Sequence, residues 1–201
     1  RFAQHDGAQA CRTVIVRDGD QDLARISYGP AATLWRFNFG WRRSGQETGF
    51  VLDIERGTWG GNRQDPQDQD GGGDGLGPRV ATVIPFVEDR RNCLLIEPLG
   101  TWSPDVMASL QAALKRAIQV CFQLEEMELA AEPLPDERTR RVILLYESAE
   151  GGAGALRRLV DDPQELHRVA RTALEICHFD PDSGADRHRG PSRSGCGGSQ
   201  L

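Results

Sequence analysis

The chain has 201 residues, of which 38% are apolar and 27% charged, and its formal net charge is −6. This length suits one domain, or one domain with a long insertion, and it is sufficient to bury a hydrophobic core. The acidic balance argues against a self-sufficient nucleic-acid binder of the usual basic kind. No apolar run approaches the roughly 18 residues of a membrane span. We therefore expect a soluble, cytoplasmic protein with no membrane partner.

The first half of the chain is predicted to form antiparallel strands connected by hairpins. Short segments rich in Val, Ile, Phe and Trp are separated by Gly, Pro and Asp, which are typical turn residues. These segments are RTVIVRD, TLWRFNFGW, GFVLDIE, VATVIPFVED and NCLLIEP. Residues 60–78, with the sequence GGNRQDPQDQDGGGDGLGP, contain almost nothing to bury and are predicted to be a disordered loop.

One of these segments combines aromatic rings with basic side chains. The residues concerned are Trp35, Arg36, Trp41, Arg42 and Arg43. Rings that stack on bases, interleaved with cations, are typical of sites for single-stranded nucleic acid. The alternative is an ordinary strand with charged residues at its edge. Both interpretations stay open at this point.

The second half of the chain is predicted to be largely helical. Ser103, Pro104 and Asp105 are typical of a helix N-terminus. Apolar residues then recur at three- and four-residue steps over about six turns, and Pro133 and Pro135 are predicted to end this element. The apolar stripe consists of Val106, Leu110, Leu114, Ala117, Ile118, Cys121 and Leu124.

A buried strand and two further helices are predicted after this long helix. The strand is RRVILLY, and a glycine-rich turn and a short helix follow it. Asp162, Pro163 and Glu165 form the N-terminal signal of the last helix, with Glu165 as the acid of a capping box. Its predicted inner face consists of Leu166, Val169, Ala170, Ala173, Leu174 and Cys177. The predicted fold is therefore α+β, with an antiparallel strand-rich N-terminal half followed by a helical C-terminal part with one buried strand.

The turn between the strand and the short helix raises the question of a ligand. It consists of Glu150, Gly151, Gly152 and Gly154. Unpaired amides at a helix start attract anions. However, a phosphate loop needs Lys and Ser or Thr after its last glycine, and Ala155 and Leu156 stand there instead. Glu147 and Glu150 would also repel a phosphate, so we interpret the turn as architectural, with close packing of the turn against the sheet.

The sequence around this turn resembles a known family. LLYESAEGGAGALRRLV, the upstream SLQAALKRAIQVCFQLEEMELAAEPLP and the downstream ALEICHFDP are similar to the MrfA-type zinc-binding domain. This domain is found at the C-terminal end of certain superfamily-2 DEAD/DEAH-box helicases and in the DrmB protein of the DISARM anti-phage system. YGPAATLWRFNFGWRR and VIPFVEDRRNCLLIEP are similar to the region that precedes the domain.

The resemblance implies how the chain is divided. It implies a strand-rich region over residues 1–100, followed by an MrfA-type domain over residues 101–201 that is truncated at its C-terminus. Because the sequence begins at Arg1, within strand-like sequence, we also expect it to be a fragment of a longer polypeptide.

The resemblance further implies a zinc site near the C-terminus. In the family four cysteines hold one zinc ion, and the first two correspond here to Cys177 and Cys196. The other two belong to a Cys-x-x-x-Cys-x-x-Cys sequence, but the third position here is Gln200 and the fourth lies beyond Leu201. Because structural zinc takes four tetrahedral ligands, the site in this chain is incomplete, and zinc binding stays open.

The function that the resemblance implies is that of an accessory C-terminal domain of an ATP-dependent DNA helicase, in DNA repair or phage defence. ATP would bind to the parent helicase, since this sequence contains neither a phosphate loop nor an Asp-Glu-x-His segment. DNA would be reached through the parent helicase or complex. The alternative is a non-enzymatic interaction subunit, like DrmB, that binds a separate helicase.

Overall fold

The computed structural model describes residues 11–40, 49–60, 79–149 and 151–187. The strands in these ranges are β1 (Arg12–Asp18), β2 (Gln21–Phe37), β3 (Phe50–Asp53), β4 (Thr58–Trp59), β5 (Val80–Val83), β6 (Phe86–Pro98), β7 (Leu129–Leu134) and β8 (Val142–Glu147). The helices are α1 (Pro104–Phe122), α2 (Ala155–Asp161) and α3 (Pro163–Ile176). The α+β class is confirmed. None of these helices is both long enough and apolar enough to cross a membrane, and most of the predicted loop at 60–78 lies outside the described residues.

The strands form two sheets. One has five strands in the order β1-β2-β6-β8-β7, and the other has three in the order β4-β3-β5. β1 and β2 are a hairpin in which Asp18 pairs with Gln21. Gly19 lies between them with a φ of +56°, a conformation that two-residue hairpin turns require and that glycine adopts readily. The pairs β3–β4, β3–β5, β6–β8 and β7–β8 are antiparallel too. Antiparallel pairing was predicted for the strands of the first half of the chain, whereas the pairings of β8 with β6 and β7 were not.

The chain divides into two compact units. Among the described residues, the 34–89 unit contains the three-stranded sheet, and the helical unit, residues 11–33 and 90–187, contains all three helices. β2 and β6 contribute residues to both units. These units do not follow the division at residue 100, which concerns the extent of the family domain and stays a prediction.

The hydrophobic core of the helical unit lies between the five-stranded sheet and the helices. α1 packs against α3, β7 and β8, and α2 packs against β1, β8 and α3. The most deeply buried aliphatic side chains include Leu94, Ile118, Leu129, Leu145, Leu156 and Val169. Each contributes roughly 1.5–3 kcal/mol by removing apolar surface from water. Residues 143–147 of β8 are all buried, which confirms the predicted strand covered on both faces.

The helix predicted to extend towards Pro133 ends earlier. Ser103 caps its start as expected, since its side chain accepts a hydrogen bond from the Val106 amide. α1 stops at Phe122, and Gln123 follows in the left-handed conformation. Residues 129–134 then form β7, which pairs with β8 at the edge of the sheet. An edge strand tolerates Pro133, which has no amide hydrogen to donate.

The last helix differs from its prediction in two respects. Asp162 caps it, but the Glu165 carboxylate pairs with Arg158 and Arg168 and does not complete a capping box. The Asp162 amide that a capping box would use already donates to the Arg158 carbonyl at 2.9 Å. The predicted inner face is also too wide, because α3 buries Val169 and Ala173 while Ala170, Leu174 and Cys177 are exposed.

Candidate functional site

The turn that joins β8 to α2 is built from glycines in left-handed conformations. Gly151, Gly152 and Gly154 have φ values of +82°, +59° and +73°, a region that L side chains rarely adopt. A Cβ atom added to Gly152 would lie 1.7 Å from Oε2 of Glu147 and 2.9 Å from its Cβ. At Gly151 and Gly154 an added Cβ would meet no described atom within 4 Å. Close packing therefore requires glycine at 152, while backbone conformation favours it at the other two positions.

The carboxylate beneath the turn is hydrogen-bonded on both oxygens. Glu147 is only 2% exposed. Its Oε1 accepts from the Leu156 amide at 3.2 Å, and its Oε2 accepts from Nδ2 of Asn92 at 2.9 Å. The same Asn92 nitrogen donates to the Gly151 carbonyl at 2.9 Å, and Oδ1 of Asn92 accepts from the Ala31 amide at 3.1 Å. One carboxylate and one side-chain amide thus connect three strands, β2, β6 and β8, with the turn and the start of α2.

This network occupies the position that an anionic ligand would take at the start of α2. Leu156 lies in the first helical turn, where amides have no partner within the helix and a negative charge is favoured. Glu147 supplies that charge from within the protein. From the sequence this acid was expected to repel a phosphate, whereas in the structure its carboxylate takes the place of the anion. Glu150, the other acid of the turn, lies outside the described residues.

Burial raises the pKa of two groups beside Glu147. Cys93 pairs with Tyr146 of β8, and desolvation of its side chain raises the thiol pKa to about 11, with a further rise from the Glu147 charge and an opposing effect of Arg91. Burial, followed by the Glu147 charge, also raises the pKa of Tyr28. Both groups are therefore protonated at neutral pH. Because the thiolate is the reactive form of cysteine, Cys93 is a core residue and not a nucleophile.

An exposed row of aromatic rings lies in the 34–89 unit. This aromatic row consists of Trp35, Phe37, Phe39 and Phe86. The centroid of the Phe37 ring is 6.5 Å from that of Trp35, 6.0 Å from that of Phe39 and 5.9 Å from that of Phe86. The four side chains are between 41% and 60% exposed. Such a surface can stack on nucleic-acid bases or be covered by an apolar partner.

The structure places the predicted nucleic-acid contacts only in part. Trp35 belongs to the aromatic row, and Arg36 is exposed on the same strand. Since neighbouring residues of a strand point to opposite faces, Arg36 does not share the face of the rings. The other predicted contacts, Trp41, Arg42 and Arg43, lie outside the described residues.

Sequence reasoning missed the three phenylalanines of the row. The spacing of Trp35, Phe37 and Phe39 is the two-residue period of a strand face, so this part of the row was readable from the sequence. Phe86 comes from β6, and only the packing of the folded chain brings it to Phe37. Asn92 is another residue that no motif indicated, although it holds the buried carboxylate.

The described residues do not provide a zinc site. Cys177 is exposed at the C-cap of α3, and Cys196 lies outside the described residues. Within the described ranges, no group of three or more His, Cys, Asp and Glu side chains could hold a metal ion. A structural zinc ion takes four ligands, so the donors in this part of the chain do not fit it.

The fold and the turn together define a class of α+β domain. Its features are an antiparallel sheet, the long helix α1, and the short helix α2, whose first turn is capped by the buried Glu147. Residues 110–197 match the family model of the MrfA Zn-binding domain, which confirms the resemblance to this family. The matched residues include β7, β8, the glycine turn, α2 and α3. Zinc appears in the name of the family and is a property of the family.

A solved structure is also similar to the chain. It is a crystal structure of the DUF1998 helicase MrfA bound to DNA, with 9% sequence identity and a TM-score of 0.43. The similarity covers 89% of this chain but 22% of that chain, so this chain spans about a fifth of the length of the solved protein. No curated protein matches the sequence.

Proposed function

We propose that this chain is an accessory C-terminal domain of an ATP-dependent DNA helicase, acting in DNA repair or phage defence and non-catalytic by itself. The observation that carries the proposal is the match of residues 110–197 to the MrfA Zn-binding domain. The self-capped glycine turn agrees with a non-catalytic role, because Glu147 already binds the Leu156 amide that a substrate anion would use.

The proposed function involves two cofactors, ATP and zinc. ATP would be bound and hydrolysed by the helicase, in the cytoplasm. In the family, zinc would be held by four cysteines. Cys177 and Cys196 of this chain correspond to the first two of them. Since a site with fewer than four protein ligands leaves the ion open to water, zinc would bind weakly to these two cysteines alone.

The proposed contact with DNA is the aromatic row, which contains Trp35. The other contacts predicted from the sequence, Trp41, Arg42 and Arg43 and, on the opposite face of the strand, Arg36, stay predictions. Single strands bind to proteins through bases stacked on aromatic rings, and each stacked base contributes about 1–3 kcal/mol. The rings of the row are exposed and adjacent to one another, so several bases of one strand could stack on them.

A matched pair of tryptophan variants tests this contact. Trp35 is 49% exposed in the row, and Trp102 is 53% exposed in the helical unit. We expect Trp35→Leu to weaken the binding of a fluorescent oligothymidylate by roughly 5- to 150-fold, the loss of one stacked base, and Trp102→Leu to leave it unchanged. The measurement is fluorescence anisotropy on the purified chain. Equal affinities for the native chain and the Trp35 variant would exclude the row as the DNA contact.

A second candidate is a non-enzymatic, DrmB-like subunit that binds a separate helicase. The observation that favours it is again the aromatic row, since exposed apolar surfaces mark protein interfaces. A leucine at position 35 keeps the surface apolar, so a protein partner would tolerate Trp35→Leu better than bases would. The Trp35 variant therefore separates the two kinds of contact when it is tested with both partners.

The DNA on both sides of the coding sequence tests the proposal as a whole. Helicase motifs in the same reading frame would support the accessory domain. A helicase in a separate neighbouring gene would support the DrmB-like subunit. A surrounding region with no helicase gene would contradict both.

A further inference from the structure

The segment that follows α3 is organised around one carboxylate. Oδ1 of Asp180 accepts hydrogen bonds from the amide of Asp182 at 3.2 Å, the amide of Ser183 at 2.9 Å and the hydroxyl of Ser183 at 2.8 Å. Oδ2 of Asp180 accepts from Nη2 of Arg187 at 3.3 Å. A single side chain therefore binds groups on both arms of the loop.

Backbone hydrogen bonds close the same loop. The Asp180 amide donates to the Ala185 carbonyl at 2.8 Å, and the Gly184 amide donates to the Asp180 carbonyl at 2.7 Å. Phe179 and Asp186 form an antiparallel bridge. The polar groups of this turn are thus paired within the loop itself, which is what an exposed turn needs to hold one conformation.

The loop is also attached to the helix that precedes it. The Phe179 amide donates to the Leu174 carbonyl at 2.8 Å, so the chain leaves α3 in a defined direction. Nη1 of Arg171 donates to Oδ1 of Asp182 at 2.6 Å. These contacts fix the loop against α3 from two sides, next to the exposed Cys177.

We infer that residues 177–187 are folded by the Asp180 network and that their conformation does not depend on zinc. Structural zinc sites contribute folding free energy directly, and small domains built on them are often unfolded without the metal. Here the donors available in the described residues do not fit zinc, while hydrogen bonds to Asp180 and the backbone already close the loop. This inference goes beyond the proposed function, because it holds whether or not the chain serves a helicase.

The charge state of Asp180 agrees with this role. The hydrogen bonds from the Ser183 amide and hydroxyl hold the pKa of the Asp180 carboxyl at about 2, with further contributions from Arg187 and the Asp182 amide. The carboxylate is therefore ionised across the neutral range, where its hydrogen bonds are strongest.

Hydrogen exchange of the purified chain tests the inference. We expect the amides of Ser183, Gly184 and Ala185 to exchange at the same rate with EDTA, with added zinc sulfate and with neither. In Asp180→Ala the rates should rise about tenfold or more, since the hydrogen bonds that the carboxylate accepts from the Ser183 amide and hydroxyl are lost. Cys177→Ser should leave the rates unchanged.

A matched control comes from the loop between β7 and β8. Asp136 accepts from the amides of Arg138 and Thr139, so Asp136→Ala removes a similar turn elsewhere and should not affect exchange at 183–185. The inference is overturned if EDTA accelerates exchange in the native chain, if zinc slows it, or if Cys177→Ser acts as strongly as Asp180→Ala. The EDTA arm decides the question even if the Asp180 variant fails to fold.

Discussion

At the scale of single residues, the glycine turn shows how one buried acid and one glycine depend on each other. The Glu147 side chain occupies the space that a side chain at position 152 would need. Its carboxylate accepts hydrogen bonds from the Leu156 amide and from Nδ2 of Asn92. Hydrogen bonds to a charged group contribute about 1.5–3 kcal/mol, and leaving such a group unpaired in the interior costs more. The turn is thus a specific arrangement of a few atoms, and substitutions there should have large effects.

Alanine substitutions in the turn should differ in their cost. Gly151→Ala places a Cβ in open space at a positive φ, which costs roughly 1–2 kcal/mol of backbone strain. Gly152→Ala carries the same strain and must also displace the Glu147 side chain, so we expect about 1–3 kcal/mol more. Urea unfolding of both variants measures the difference, and equal free energies of unfolding would contradict this close packing.

Cys93 should be inert towards alkylation in the folded chain. It is 2% exposed and its pKa is about 11, while Cys11 and Cys177 are exposed. Mass spectrometry after iodoacetamide treatment should find label on Cys11 and Cys177, with Cys93 labelled only after unfolding. Modification of Cys93 in the folded chain at the rate of Cys177 would contradict this assignment.

The same thiol should make stability fall in alkali. Its folded-state pKa of about 11 lies above the ordinary value of 9.0, so the unfolded chain releases this proton first as the pH rises. The contribution of Cys93 to the free energy of unfolding is complete below pH 9 and decreases between pH 9 and 11. Urea unfolding across this range, compared with Cys93→Ala, measures it. A fall of the same size in both proteins would assign the effect to other groups.

At the scale of elements, the C-terminal part contains a strand that local patterns do not indicate. The sequence of α1 has a strong three- and four-residue periodicity, which made the helix predictable, but nothing in it marks Phe122 as the end. β7 contains Pro133 and two alanines, which are poor strand formers by themselves. Pairing with β8 makes it a strand, and that pairing is a tertiary contact outside the reach of local sequence patterns.

Leu129 provides a test of this strand. It is 1% exposed at the start of β7, whereas the nearby Met127 is 85% exposed. We expect Leu129→Ala to lower the free energy of unfolding by about 2–5 kcal/mol, because it leaves a cavity in the core, and Met127→Ala to change it by less than about 0.5 kcal/mol. Thermal unfolding followed by circular dichroism measures both. A small effect at Leu129 would argue that this segment does not pack as described.

At the scale of the whole molecule, the fold class was predictable and the surfaces were not. Strand composition in the first half and helix periodicity in the second identified the α+β class, because both signals are local. The aromatic row joins Phe37 to Phe86 across a long stretch of chain, and Asn92 reaches Glu147 from another strand. Such contacts depend on which strands pair, so the composition of a single segment does not contain them.

The response to salt should show whether any DNA binding by the chain rests on stacking or on contacts with phosphates. Affinity for a single strand falls with salt in proportion to the number of phosphates neutralised. A chain that binds mainly by stacking should lose less than about tenfold in affinity between roughly 50 and 200 mM salt. Anisotropy titrations at several salt concentrations measure this slope. A steep slope would indicate phosphate contacts as the main source of binding.

The pairing of Glu147 with Gly152 also has a consequence for how this sequence can diverge over time. The Glu147 side chain fills the space that a methyl group at position 152 would need. A substitution at one of these two positions therefore depends on the residue at the other. A descendant that acquired alanine at 152 would first have to shorten the acid at 147 and find another partner for the Leu156 amide. Across many descendants the two positions should therefore change together or stay as they are.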